Sequence, residues 1–160
     1  MKYISYRLIM ALLAFSSAAT AENYEISVTR KGSNLYKIDI KDIFIHTKYC
    51  YEYVYGESSI LKMKGMVGEI IFTEAGATCQ VKAVYGKSEQ VPGNFVVTVS
   101  REDDDWYEIF GQGLYVKTNT CISLALGTEA VLTIMAGGYG TLHIDGNQCM
   151  VEGVYSRLRL

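Results

Sequence analysis

Apolar and polar residues alternate with a period of two along almost the whole chain beyond residue 22. Tyr24, Ile26 and Val28 alternate with Glu25, Ser27 and Thr29. Tyr36, Ile38 and Ile40 alternate with Lys37 and Asp39, and Ile43, Ile45 and Thr47 with Phe44 and His46. Successive side chains of an extended chain point to opposite faces, so each run predicts a half-buried β-strand. The rhythm returns at 95–101, 106–110, 114–118, 121–126, 129–135, 141–144 and 149–155, and no window beyond the first residues carries a helical stripe. Turn-forming residues separate the runs: Lys31-Gly32-Ser33-Asn34, Glu102-Asp103-Asp104-Asp105, Gly111-Gln112-Gly113 and Asp145-Gly146-Asn147.

The pattern also repeats. One constant displacement superposes Asn23 on Asn94, Val28 on Val99, Arg30 on Arg101, Tyr36 on Tyr107, Ile38 on Ile109, Cys50 on Cys121 and Gly56 on Gly127. With small loop adjustments Gly68 meets Gly140, Cys79 meets Cys149 and Tyr85 meets Tyr155. Self-similarity of this kind marks a duplicated structural unit. The expected fold is all-β: two tandem copies of a small disulfide-stapled β-barrel or β-sandwich unit, packed together with pseudo-symmetry. Residues 22–86 form unit 1, 87–93 a linker holding the only proline, Pro92, and 94–160 unit 2. A unit of about 60 residues is marginal by itself, which favours copies that contact each other. Outer-membrane barrel strands need about 9 to 11 residues, and the shorter runs here argue against that architecture.

Residues 1–21 read as a signal peptide. Lys2 and Arg7 give a positive start, Leu8 to Phe15 an apolar stretch and Ala19-Thr20-Ala21 a small-residue cleavage site. Export places the four cysteines where thiols oxidise. The duplication favours Cys50 with Cys79 and Cys121 with Cys149 among the three possible connectivities. Neither copy has the close cysteine or histidine pairs of a zinc site, so no metal is expected. The expected location is periplasmic or secreted, with no transmembrane segment in the mature chain.

The most unusual local sequence is Tyr49-Cys50-Tyr51-Glu52-Tyr53-Val54-Tyr55. A strand there puts Tyr49, Tyr51, Tyr53 and Tyr55 on one face and Cys50, Glu52 and Val54 on the other. Exposed, such a row could bind sugar rings or a protein. The second copy has Ile122, Leu124 and Leu126 at the places of Tyr51, Tyr53 and Tyr55, which favours a face packed against the core or the sister unit. His46 and His143, the only histidines, fall by parity on the face opposite the core, where solvated histidines sit. Glu102 to Asp105 is expected to be a solvated acidic hairpin, since its counterpart at 31–34 has no carboxylates.

Nothing in the chain matches a nucleophile elbow, a P-loop, a zinc-protease motif or a dinucleotide fingerprint. No cofactor is expected. With 15 Lys and Arg against 17 Asp and Glu, the net charge of −2 leaves no basic stripe for nucleic acid. The leading expectation is an exported, non-catalytic bacterial binding protein, of the inhibitor or immunity type, whose partner is another protein or a cell-envelope glycan. The alternatives are a glycan hydrolase using carboxylates such as Glu52 and Glu57, and a self-associating envelope component.

Overall fold

The computed structural model describes residues 20–160, so the expected signal peptide lies outside the described residues except for its last two positions. The described chain is built from strands: β1 (Glu22–Gly32), β2 (Leu35–Ile38), β3 (Ile43–Lys48), β4 (Glu57–Lys64), β5 (Val67–Phe72), β6 (Ala77–Lys87), β7 (Gly93–Asp103), β8 (Trp106–Ile109), β9 (Leu114–Asn119), β10 (Thr128–Ile134), β11 (Gly140–Ile144) and β12 (Asn147–Arg157). Ser88 to Pro92 join β6 to β7. The all-β expectation holds, and two disulfides join Cys50 to Cys79 and Cys121 to Cys149 with Cα atoms 5.6 and 5.3 Å apart. Disulfides point to an oxidising, non-cytoplasmic compartment. Among the described residues no helix is long and apolar enough to cross a membrane.

Every pairing is antiparallel. The ladders β6–β3–β2–β1–β4–β5 return to β6, closing six strands into a barrel. The ladders β12–β9–β8–β7–β10–β11 likewise return to β12. Closure removes the unpaired edges through which a sheet would recruit other chains. It demands close backbone approach at the hairpins: a Cβ added at Gly68 or Gly140 would run into the carbonyl oxygen of Lys62 or Thr133. Each ring fills its interior with inward residues. Val28, Tyr36, Ile45, Leu61, Ile70 and Phe72 are buried inside the first, and Val99, Tyr107, Val116, Leu132, Leu142 and Ile144 inside the second.

A third core lies between the rings. Leu35, Phe44, Ala83 and Tyr85 project outward from the first and meet Trp106, Tyr115 and Tyr155 of the second. Tyr85 stacks on Trp106 with centroids 4.9 Å apart, and Phe44 meets Trp106 and Tyr155 edge-on at 5.5 and 5.4 Å. Burial there pushes the Tyr155 phenol up to about 12. Strands β6 and β12 pair directly through Tyr155 with Lys87, Ser156 with Gly86 and Arg157 with Tyr85, so the two rings share one continuous sheet. Bulges sharpen the contact by re-aiming side chains. Ladder irregularities fall at Glu102 and at Lys82, and these two residues form an ion pair across the interface at 2.9 Å.

This contact corrects two expectations. His46 does point away from its own barrel, but the other ring covers that face: His46 is 2% exposed and its Nε2 lies 2.7 Å from Asp103. The acidic hairpin is therefore a docking element, with Glu102 and Asp103 both engaged across the interface. His46 Nδ1 is buried without a partner. Burial outweighs the attraction of Asp103 and lowers the imidazole pKa below its ordinary 6.5, leaving a neutral ring whose Nε2–H donates to the carboxylate. The unfolded chain then binds the proton first as pH falls, so stability conferred by neutral His46 is present above about pH 6.5 and declines below it. Melting temperatures measured from pH 7.5 to 5.5 should fall, and the fall should flatten in His46→Gln.

Ile40 departs from its expected inward place. Strand β2 ends at Ile38, and Ile40 turns fully outward with φ of 66°. A β-branched residue is strained in the left-handed region. The corresponding turn of the second half solves the same problem with Gly111 at φ 73°. Ile40→Gly is expected to raise stability by about 0.5 to 1 kcal/mol, strain relief exceeding the added chain entropy, as read by urea denaturation.

Candidate functional site

Two straps cross the ends of the rings. The first leaves β3 at Tyr49, whose φ of 51° turns the chain, and enters β4 after Gly56 at φ 62°; the second runs from Thr120 at φ 52° to Gly127 at φ 63°. Neither stretch is in a ladder, so the strand expected at 121–126, and the one over the tyrosine row, are extended straps instead. Their period-two alternation survives because an extended chain lying on a core still buries every second side chain.

Each strap is fastened from beneath. Cys50 and Val54 are buried in the first core and Cys121 and Ala125 in the second, with the disulfides pinning one end of each. Main-chain groups are satisfied by neighbouring strands: Arg30 N–H donates to Val54 O at 2.9 Å, and Arg101 N–H to Ala125 O at 2.8 Å. Side chains of the β1–β2 and β7–β8 turns accept from the cysteine amides, Asn34 Oδ1 from Cys50 N–H at 2.7 Å and Asp105 Oδ1 from Cys121 N–H at 3.2 Å. From inside the barrels, the Tyr36 hydroxyl donates to Glu52 O at 2.9 Å and the Tyr107 hydroxyl to Ser123 O at 2.8 Å. Burial raises both phenol pKa values, which keeps these donors protonated.

The outer face of the straps is bare. Tyr49, Tyr51, Tyr53 and Tyr55 are between 71% and 90% exposed, and Ile122, Leu124 and Leu126 between 78% and 88%. The expectation that this face packs against the core or the other unit is thus overturned, because the alternate residues Cys50 and Val54 already occupy the barrel end. The Arg30 guanidinium lies 3.9 Å from the Tyr53 ring centroid, a cation–π contact that holds the ring upright. Beside it Lys31, Ser33 and Tyr55 border a shallow hollow of about 490 Å³. Arg30 has no signal in the sequence beyond its repetition as Arg101, and the aliphatic residue types of Ile122, Leu124 and Leu126 point to burial although the fold leaves them in water.

The other candidates do not assemble into a reaction centre. Glu57 is buried and accepts from the amides of Glu74 and Ala75, both at 3.0 Å, so it anchors the β5–β6 turn. Glu52 instead lends its carbonyl to Tyr36. His46 sits in the interface, whereas His143 is exposed on β11 opposite Val131 and Gln148. Among the described residues no group of three or more His, Cys, Asp or Glu is placed to hold a metal ion. Comparison of the chain with protein families, with curated proteins and with solved structures finds no match, so the reading of this site stands on its geometry.

Proposed function

We propose that this is an exported, non-catalytic binding protein of bacterial type, acting in the periplasm or after secretion, whose tyrosine strap engages another protein as an inhibitor or immunity protein would. The observation that carries the reading is a row of four solvent-facing tyrosines on a backbone clamped by a disulfide, a buried valine and four hydrogen bonds. Monomeric proteins rarely leave large contiguous apolar surface bare without use. Tyrosine on a rigid support offers wide contact at low entropic cost, the usual make-up of an interface hot spot. The aliphatic row at 122–126 favours a protein over a glycan partner, since sugars are met by rings rather than by Leu and Ile side chains.

In this reading the chain matures at Glu22, and units 22–86 and 94–160, joined by 87–93, are copies related by pseudo-symmetry. Corresponding ladders support it: Val28 faces Ile38 as Val99 faces Ile109. The shared core supports it further, since Leu35, Phe44 and Tyr85 occupy one side and their counterparts Trp106, Tyr115 and Tyr155 the other, with Ala83 in the place that Gly153 holds in the second unit. Divergence of the straps, aromatic in one copy and aliphatic in the other, would give one body two different contact surfaces. The test is affinity capture from envelope extract with oxidised residues 22–160, followed by titration of the captured protein. Tyr51→Ala with Tyr53→Ala should weaken binding by about tenfold to a hundredfold, or 1.4 to 2.8 kcal/mol, with an unchanged melting temperature. Binding that survives the double substitution would remove the strap from the site.

A further inference from the structure

The two rings differ at the ends opposite their straps. In the first, the chain continues past β12 and lays Leu158 and Leu160 against the core, with Leu158 N–H donating to Val84 O at 2.8 Å and Leu160 N–H to Gly65 O at 2.9 Å. In the second, the chain continuing past β6 makes the matching bond, Ser88 N–H to Val154 O at 2.8 Å. There, however, the residues that follow the same path are Ser88 and Gln90. Two leucines cover one mouth; a serine and a glutamine follow the same path over the other.

Beneath Gln90 lies a cavity of about 360 Å³ walled by Val97, Ile109, Leu114, Leu132, Ile134 and Val154. Phe95 flanks it and Gln90 and Gln112 border it, whereas the Asn94 amide accepts from Thr133 at 2.8 Å on the outer face. Ile109 and Leu114 lie at the far ends of β8 and β9 from the strap, and no strap residue lines the cavity. Its walls carry no Lys, Arg, Asp, Glu or His. A pocket at the lower end of the usual ligand range, with apolar walls and a few convergent polar groups, is the ordinary form of a small-molecule site.

We propose that this mouth binds a small uncharged molecule with a branched aliphatic body and one hydrogen-bonding head, taking the place that Leu158 and Leu160 fill in the first ring. The body lies against the Leu132, Ile134 and Val154 wall. The head meets the amides of Gln90 and Gln112, which supply both donors and acceptors. The absence of charge in the lining excludes carboxylate and ammonium heads, because neither would find a counter-charge to offset its desolvation. The site is separate from the strap and does not depend on the function proposed for it.

The test uses the oxidised protein, methyl-labelled for NMR, titrated with 3-methyl-1-butanol as a leucine-like alcohol. Saturable shifts are expected at the methyls of Val97, Leu132, Ile134 and Val154, with the strap leucines unmoved. Gln90→Leu should seat a side chain where Leu160 lies in the other ring and weaken the alcohol by about tenfold or more; Ser88→Leu, the counterpart of Leu158, serves the same purpose should the first variant not fold. Leu160→Ala should in turn create a second saturable site, seen at Leu61 and Val84. No saturable shift in the unaltered protein, or equal affinity in a folded Gln90→Leu or Ser88→Leu protein, would overturn the proposal.

Discussion

Trp106→Ala is expected to lower the unfolding free energy by about 3 to 5 kcal/mol, the range for removing a large buried aromatic. Trp106 is 2% exposed and touches Tyr85, Phe44 and Tyr155 in the cluster between the rings. Truncation leaves a void between two barrels that are fixed elsewhere by the β6–β12 ladder, so collapse around it is restricted. The indole Nε1–H is buried without a partner, and an unsatisfied donor costs about 1 to 3 kcal/mol. Trp106→Phe discards that donor while keeping most of the ring, so its loss should be much smaller than that of the alanine variant. Urea unfolding followed by circular dichroism measures both. A loss below about 1 kcal/mol for Trp106→Ala would mean that the central core does not couple the rings.

Paired replacement of Cys50 and Cys79 by alanine should have an effect of similar size. The bridge closes a loop with a sequence separation of 29, and the chain-entropy estimate for such a loop is about 3 to 4 kcal/mol. More telling is where the damage appears. The first strap is not part of any ladder, and its hold on the barrel runs through Cys50, Val54 and a few hydrogen bonds to Asn34, Thr29 and Tyr36. Without the bridge this segment should open locally at lower cost than the whole fold. Chymotrypsin, which cuts after tyrosine, should then cleave between residues 49 and 55 in the variant while leaving the oxidised parent intact over the same interval. Global unfolding with no preferential cleavage there would show that Val54 and the hydrogen bonds hold the strap without the bridge.

Alternation made the barrel interiors legible in advance. Val28, Tyr36 and Ile45 fall on the inward side by alternation, Val99 and Tyr107 repeat Val28 and Tyr36, and all five are buried. The repeated cysteine spacing selected the bridges that form. Period-two patterning failed in two places for one physical reason: it reports which side of an extended segment faces apolar surroundings and says nothing of what lies on the other side. At 49–55 and 121–126 the segment lies on a barrel end rather than in a ladder, so the residues with core-like identities, Ile122, Leu124 and Leu126, are the ones left in water. At β3 the reverse holds, since Phe44 and His46 occupy solvent positions by parity yet are covered by the second ring. Turn geometry was also hidden. Nothing in the residue types announces that Tyr49, Thr120 and Ile40 adopt the left-handed region, a conformation that glycine would ordinarily supply.

Translation delivers β6 long before β12. A nascent first barrel therefore emerges with Phe44 and Tyr85 uncovered and with the seat of Leu158 and Leu160 vacant, for nearly half the chain still has to follow. Such partly made species are prone to associate. A truncated product ending before Tyr155 would carry a sticky flank permanently, and two of them could satisfy one another through it. Residues 155–160 thus act as a latch that can close only after the first barrel has been made.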